Sequence, residues 1–92
     1  MKKEHVAGKK KGDVMLYALS TCVWCKKTKQ LLSDLGVDYN YVFVDLADKK
    51  DLEDIEKELG KWNPGGGFPT LVLDNKECIV GYKPDDIKKK LG

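Results

Sequence analysis

The chain has 92 residues, 41% of them apolar, which is enough for one small domain with a modest core and too little for a separate substrate domain. Its 17 basic residues, all lysine, nearly balance 15 acidic ones; a net charge of +2 and no guanidinium to grip phosphates or bases argue against a dedicated nucleic-acid binder. No apolar run approaches the roughly 18 residues of a membrane span, and no apolar stretch follows Met1-Lys2-Lys3 as a signal peptide requires, so a cytoplasmic protein is expected.

Residues 1–13 are polar, lysine-rich and glycine-containing, and read as a flexible N-terminal arm ahead of a domain spanning 14–92. The lysine runs Lys9–Lys11 and Lys88–Lys90 read as solvated surface. Val14 to Leu19 is almost continuously apolar, the pattern of a strand buried on both faces. Ser20 and Thr21 offer oxygens to cap the helix that follows. Trp24, Thr28, Leu31, Leu32 and Leu35 recur at helical spacing, and Gly36 suits the left-handed residue that closes a helix. Val37 to Asp45, β-branched and aromatic, predicts a second strand. Leu52, Ile55 and Leu59 line one face of a second helix, which Gly60 is expected to end.

Lys61 to Gly67, with Pro64 and three glycines, predicts a loop. Gly65-Gly66-Gly67 suits either simple flexibility or the close approach of a partner backbone. Thr70–Leu73 and Cys78–Val80 predict two strands joined by turn residues Asp74-Asn75. Pro84 fits the first turn of a last helix, with Asp85 and Asp86 beside it. The order is β-α-β-α-β-β-α, an α/β fold: a four-stranded mixed sheet with three helices, its β-α-β half parallel.

Three cysteines do not suit a secreted disulfide framework. One close pair, Cys22-Val23-Trp24-Cys25, falls where the first strand turns into the first helix. A helix N-terminus carries partial positive charge and unpaired N–H groups, so a thiolate there is stabilised. The thiolate is the species that attacks a disulfide. Cys25, one turn on, is placed to resolve the mixed disulfide that Cys22 forms. Lys26 and Lys27 oppose the helix dipole but suit a neighbouring thiolate. Two buried structural thiols are the alternative, but Cys-x-x-Cys at a strand-to-helix turn is a redox signal. A zinc site needs about four ligands, and only Cys78 and His5 remain. Cys78, in an apolar strand, reads as an inert thiol, and Tyr17 suits either the core or a place beneath the site.

With Leu19-Ser20-Thr21-Cys22-Val23-Trp24-Cys25 on that turn, residues 14–92 resemble the glutaredoxin branch of the thioredoxin superfamily. Phe68-Pro69-Thr70 opens the third strand, where the resemblance implies a cis-proline facing the cysteines and a Phe68 backbone free to pair with an incoming strand. Gly81-Tyr82-Lys83-Pro84-Asp85 resembles the Gly-Phe-Arg-Pro-Asp stretch of NrdH-type redoxins more than the Gly-Gly-x-Asp-Asp of glutathione-binding glutaredoxins. In the family this loop's N–H groups help hold a glutathione carboxylate, and Pro84 has none to give, so glutathione binding is expected to be weak.

The resemblance implies a monomeric dithiol carrier that needs no cofactor. It would take electrons from a thioredoxin-reductase-like or ferredoxin-dependent reductase and pass them to protein disulfides such as that of ribonucleotide reductase. Cys22 and Cys25 are the expected catalytic residues; Phe68, Pro69, Thr70, Trp24 and Tyr82 are expected to meet the substrate, with Trp62 able to extend that patch. A glutathione-dependent glutaredoxin is the alternative within the same chemistry. A module holding zinc or an iron–sulfur cluster between two chains is the alternative outside it.

Overall fold

The computed structural model describes residues 3–92. The elements are β1 (Glu4–Val6), β2 (Val14–Ala18), α1 (Val23–Asp34), β3 (Tyr39–Phe43), α2 (Lys49–Trp62), β4 (Thr70–Leu73), β5 (Glu77–Val80) and α3 (Pro84–Leu91). They form one mixed sheet of order β1-β3-β2-β4-β5. β2 runs parallel to β3 across the α1 crossover and antiparallel to β4. β4 and β5 make an antiparallel hairpin whose turn holds Asp74 and Asn75 at φ of 53° and 55°. Asp and Asn tolerate that left-handed backbone better than most residues.

The two-residue period of β2 divides the core. Val14, Leu16 and Ala18 face α1 and α3, where they meet Leu32, Ile87 and Leu91. Met15 and Tyr17 face α2, packing with Val42, Ile55, Leu59 and Trp62. β2 is therefore covered on both sides, as its unbroken apolar run predicts. Burial pushes the Tyr17 hydroxyl above its ordinary pKa, helped by the Glu58 charge, so Tyr17 belongs to the α2-side core.

Two elements differ in extent from the sequence reading. β3 is shorter than 37–45, because Val44–Leu46 turn into a short 3₁₀ segment that points the chain toward α2. Gly60 does not end α2, which runs to Trp62. Leu59 and Trp62 both pack on the sheet, and that outweighs the cost of about 1 kcal/mol for a glycine inside a helix.

The largest difference is the fifth strand. The stretch read as a flexible arm contributes β1, paired antiparallel to the outer edge of β3 with Glu4 opposite Tyr41 and Val6 opposite Tyr39; its first two residues, Met1 and Lys2, lie outside the described part. Further on, the Lys9 N–H donates to the Gly36 carbonyl at 2.7 Å, and the Asp38 N–H to the Lys9 carbonyl at 2.8 Å. His5 Nε2 lies 2.7 Å from the Asp38 carboxylate, which this bond holds below its ordinary pKa. Polar composition concealed the strand, since an edge strand buries little side chain and is held by backbone bonds.

Gly8 is what lets the segment lie this close. A Cβ there would meet the Gly36 carbonyl oxygen at 2.6 Å and the Val37 carbonyl carbon at 2.7 Å, both backbone. Gly8→Ala is expected to destabilise the protein by about 1–3 kcal/mol. Amide exchange across residues 4–9 should quicken, while the reactivity of Cys22 should stay unchanged; unchanged exchange would contradict this packing.

Candidate functional site

The site grows from the turn between β2 and α1. Cys22 is the N-cap of α1, in extended backbone at φ −84° and ψ 118°. Its own sulfur performs the capping, accepting the Cys25 backbone N–H at 3.2 Å. The expected oxygen cap from Ser20 or Thr21 is therefore not the one used. An N-terminal N–H aimed at sulfur is the arrangement that stabilises a thiolate. No acidic residue stands in the first turn to compete with it.

Ser20 has a different partner. Its N–H donates to the Asp45 carboxylate at 2.9 Å, and its hydroxyl bonds the other carboxylate oxygen. These bonds hold Asp45 below its ordinary pKa, the hydroxyl's contribution being the larger. The turn before Cys22 is thus tied to the segment just after β3. Sequence reasoning missed this pair, since the two residues lie 25 apart and neither belongs to a local motif.

The two cysteines occupy unlike places. Cys22 is half-buried, while Cys25 is 2% exposed within the core beneath α1. Burial pushes the Cys25 thiol up to about 12, reinforced by its hydrogen bond with Cys22 and by the charges of Cys22 and Asp45. A bond from the Leu19 backbone acts in the other direction. One sulfur is accessible and capped by an N–H; the other is covered and protonated. Thr28, fully buried one turn later, donates its hydroxyl to the Trp24 carbonyl at 2.9 Å and steadies this first turn.

Around the pair, the predicted residues divide. Trp24 is 55% exposed, and its ring stacks on Tyr82 from the loop before α3, with centroids 5.8 Å apart and planes 25° from parallel. The Lys27 ammonium lies 4.7 Å from the Trp24 ring centre. Trp24 and Tyr82, 58 positions apart in the chain, therefore form one surface. The Phe68–Pro69 bond is cis, with Pro69 fully buried and Phe68 half-buried against both halves of the core. Phe68 stands just past the end of the β-ladder, which closes at Thr70 opposite Tyr17 and Val80.

Thr70 is 0% exposed, so its side chain meets no substrate as sequence reasoning expected. Its hydroxyl instead donates to the Gly67 carbonyl at 3.0 Å, while the Asn63 amide donates to the same carbonyl and to the Thr70 oxygen. Gly66 and Gly67 take φ of 77° and 113°, which explains two of the three glycines by backbone need alone. Trp62 packs in the α2-side core, away from the Trp24 surface, and its carbonyl accepts the Cys78 thiol at 3.2 Å. Among the described residues, no helix is long and apolar enough to cross a membrane.

Comparison with known proteins agrees with this geometry. The glutaredoxin family model matches residues 14–79. Methanoredoxin of Methanosarcina acetivorans superposes with a TM-score of 0.92 at 47% identity, over 100% of this chain and 96% of that one. A glutaredoxin-like 8.6 kDa protein of the Clostridium pasteurianum rubredoxin operon is 33% identical over 76 residues, 83% of this chain and 93% of its own length. NrdH-redoxin of Escherichia coli, at 22% identity and a TM-score of 0.67 over 84% of this chain and 92% of that one, shares the fold. A match across most of the chain, on a thioredoxin-like framework that presents one capped and one buried cysteine, makes this protein a member of the glutaredoxin family of thiol–disulfide oxidoreductases.

Proposed function

We propose that the protein is a dithiol carrier that takes electrons from a protein reductase and delivers them to protein disulfides. The observation that carries this reading is the inequality of the two sulfurs, Cys22 capped by an N–H and accessible, Cys25 buried and protonated. The Cys22 thiolate attacks one sulfur of the substrate disulfide, forms a mixed disulfide and expels the other sulfur as a thiolate. Cys25 then loses its proton and attacks Cys22. The Cys22–Cys25 disulfide forms, the substrate leaves with both sulfurs reduced, and two electrons have passed to it. A reductase of the thioredoxin-reductase-like or ferredoxin-dependent kind returns the two electrons to the carrier.

Phe68 and the Trp24–Tyr82 surface are assigned to substrate contact. The Phe68 backbone lies beyond the paired ladder, where an extended substrate strand can add to it. The stacked rings offer the aromatic area on which protein partners commonly anchor. Pro69 and Thr70 act from below, as the buried base of that loop.

Glutathione fits this loop poorly. α3 begins at Pro84, which has no N–H, and its preceding residue Lys83 supplies no side-chain cap. The Tyr82 ring is also engaged with Trp24. Calorimetry is expected to give a glutathione Kd no tighter than about 1 mM, roughly 4 kcal/mol. A donor comparison tests the whole reading. Insulin disulfide reduction should proceed when thioredoxin reductase and NADPH regenerate the carrier, and should lag when glutathione and glutathione reductase replace them. The reverse ranking, or tight glutathione binding, would make the protein a glutathione-dependent glutaredoxin.

A further inference from the structure

Between Leu19 and Ser33 the chain carries three lysines, Lys26, Lys27 and Lys29, and no carboxylate. Lys9–Lys11 and Lys88–Lys90 are similar runs, but this is the one that adjoins the Cys22–Cys25 pair in the chain. α2, on the opposite face of the sheet, carries four lysines against five acids, and α3 tethers Lys90 to Glu77 at 3.0 Å. Cations crowded into the start of a helix are opposed by its dipole. None of the three makes an ion pair among the described residues. Two of them lie on aromatic faces instead: Lys27 over Trp24, and Lys29 with its ammonium 4.2 Å from the Tyr41 ring centre and 5.9 Å from that of Phe43. The rings hold the charges in place without neutralising them. The carboxylate beside this turn, Asp45, is engaged by Ser20.

We infer that Lys26, Lys27 and Lys29 of α1, with Lys27 laid over Trp24 and Lys29 over Tyr41 and Phe43, form a docking surface for an acidic protein partner, one whose reactive disulfide is flanked by Asp or Glu. The inference rests on the redox function proposed above and names the chemistry of the partner. Three lysines with no ion-pair partner among the described residues lie on the helix that Cys22 caps, ahead of the single carboxylate, Asp34, at its far end. An acidic rim around an incoming disulfide would be drawn to them and would arrive with the disulfide facing the half-buried Cys22. Such steering acts through the encounter rate and is lost as salt screens it.

The test uses three synthetic peptide disulfides of one scaffold, flanked by Glu, by Lys or by Ser, with the full-length reduced protein. At about 0.01 M salt, where charges are felt over roughly 30 Å, the Glu-flanked peptide should be reduced about tenfold faster in kcat/KM than the Lys-flanked one. At about 1 M, where that range falls to roughly 3 Å, the ratio should approach one. K26Q/K27Q/K29Q should lose the ratio at low salt, and K26R/K27R/K29R should keep it. Taking a ratio within each variant cancels any change in the reactivity of Cys22 itself.

A ratio of one in the unsubstituted protein at low salt overturns the docking surface, as does a preference that survives in the glutamine variant. Binding of a fluorescent single-stranded oligonucleotide to these lysines, without any peptide preference, overturns it in favour of a nucleic-acid surface. Failure to reduce even the Ser-flanked peptide would instead remove the redox function on which the inference stands.

Discussion

Cys22→Ser is expected to abolish reduction of protein disulfides, by at least about three orders of magnitude, because it removes the sulfur proposed above as the nucleophile. A serine hydroxyl at the same N-cap still accepts the Cys25 N–H and suits the position well. The fold and its thermal midpoint should therefore survive, and the loss should be entirely chemical. The measurement is insulin reduction with the thioredoxin reductase system, read beside circular dichroism of the same sample. Retained activity in a folded Cys22→Ser protein would move the nucleophile to another sulfur, and Cys78 is a poor heir. That thiol donates to the Trp62 carbonyl and packs on the α2 side of the sheet, whereas Cys25 lies in the core on the α1 side.

How far the sequence reveals this site depends on whether the relevant partner is near or far along the chain. Cys22 and Cys25 are legible because both lie within one helical turn, and Cys-x-x-Cys before a helical repeat states its own geometry. The β2 run and the hairpin at Asp74-Asn75 are legible for the same reason, being local patterns of burial and backbone preference. The Ser20–Asp45 bonds and the Trp24–Tyr82 stack are not, since each joins segments that only the completed sheet brings together. β1 was hidden by its composition: three residues at the sheet edge, fixed by backbone pairing, carry no apolar period to detect. Thr70 illustrates the opposite error. Family likeness placed it at the substrate, but the strand it opens turns its side chain inward to hold Gly67.

Cys25→Ser should leave the first step intact and stop the second. In the reduced protein Cys25 keeps its proton because of burial first, then the hydrogen bond and the charge of Cys22. Formation of the mixed disulfide removes both of the Cys22 contributions, since its sulfur is then neither charged nor free to bond in the same way. The Cys25 thiol thereby becomes more acidic at the moment its thiolate is needed, so the first step prepares the second. A serine cannot take that role. With a protein disulfide, Cys25→Ser is expected to accumulate one covalent adduct per chain, visible by intact mass and released by dithiothreitol, while turnover falls at least about a hundredfold.

The same inequality has a stability signature in the reduced protein. The folded chain holds the Cys25 proton up to about 12, whereas the unfolded thiol releases it near 9.0. Between those values the folded state binds more protons, so the stabilisation is complete below pH 9 and is lost as pH rises toward 12. Denaturant midpoints of the reduced protein should fall across that window, and those of Cys25→Ser should fall less. If Cys25→Ser reduced insulin at the normal rate and lost stability at high pH as the parent does, Cys25 would be neither the resolving thiol nor the group that titrates.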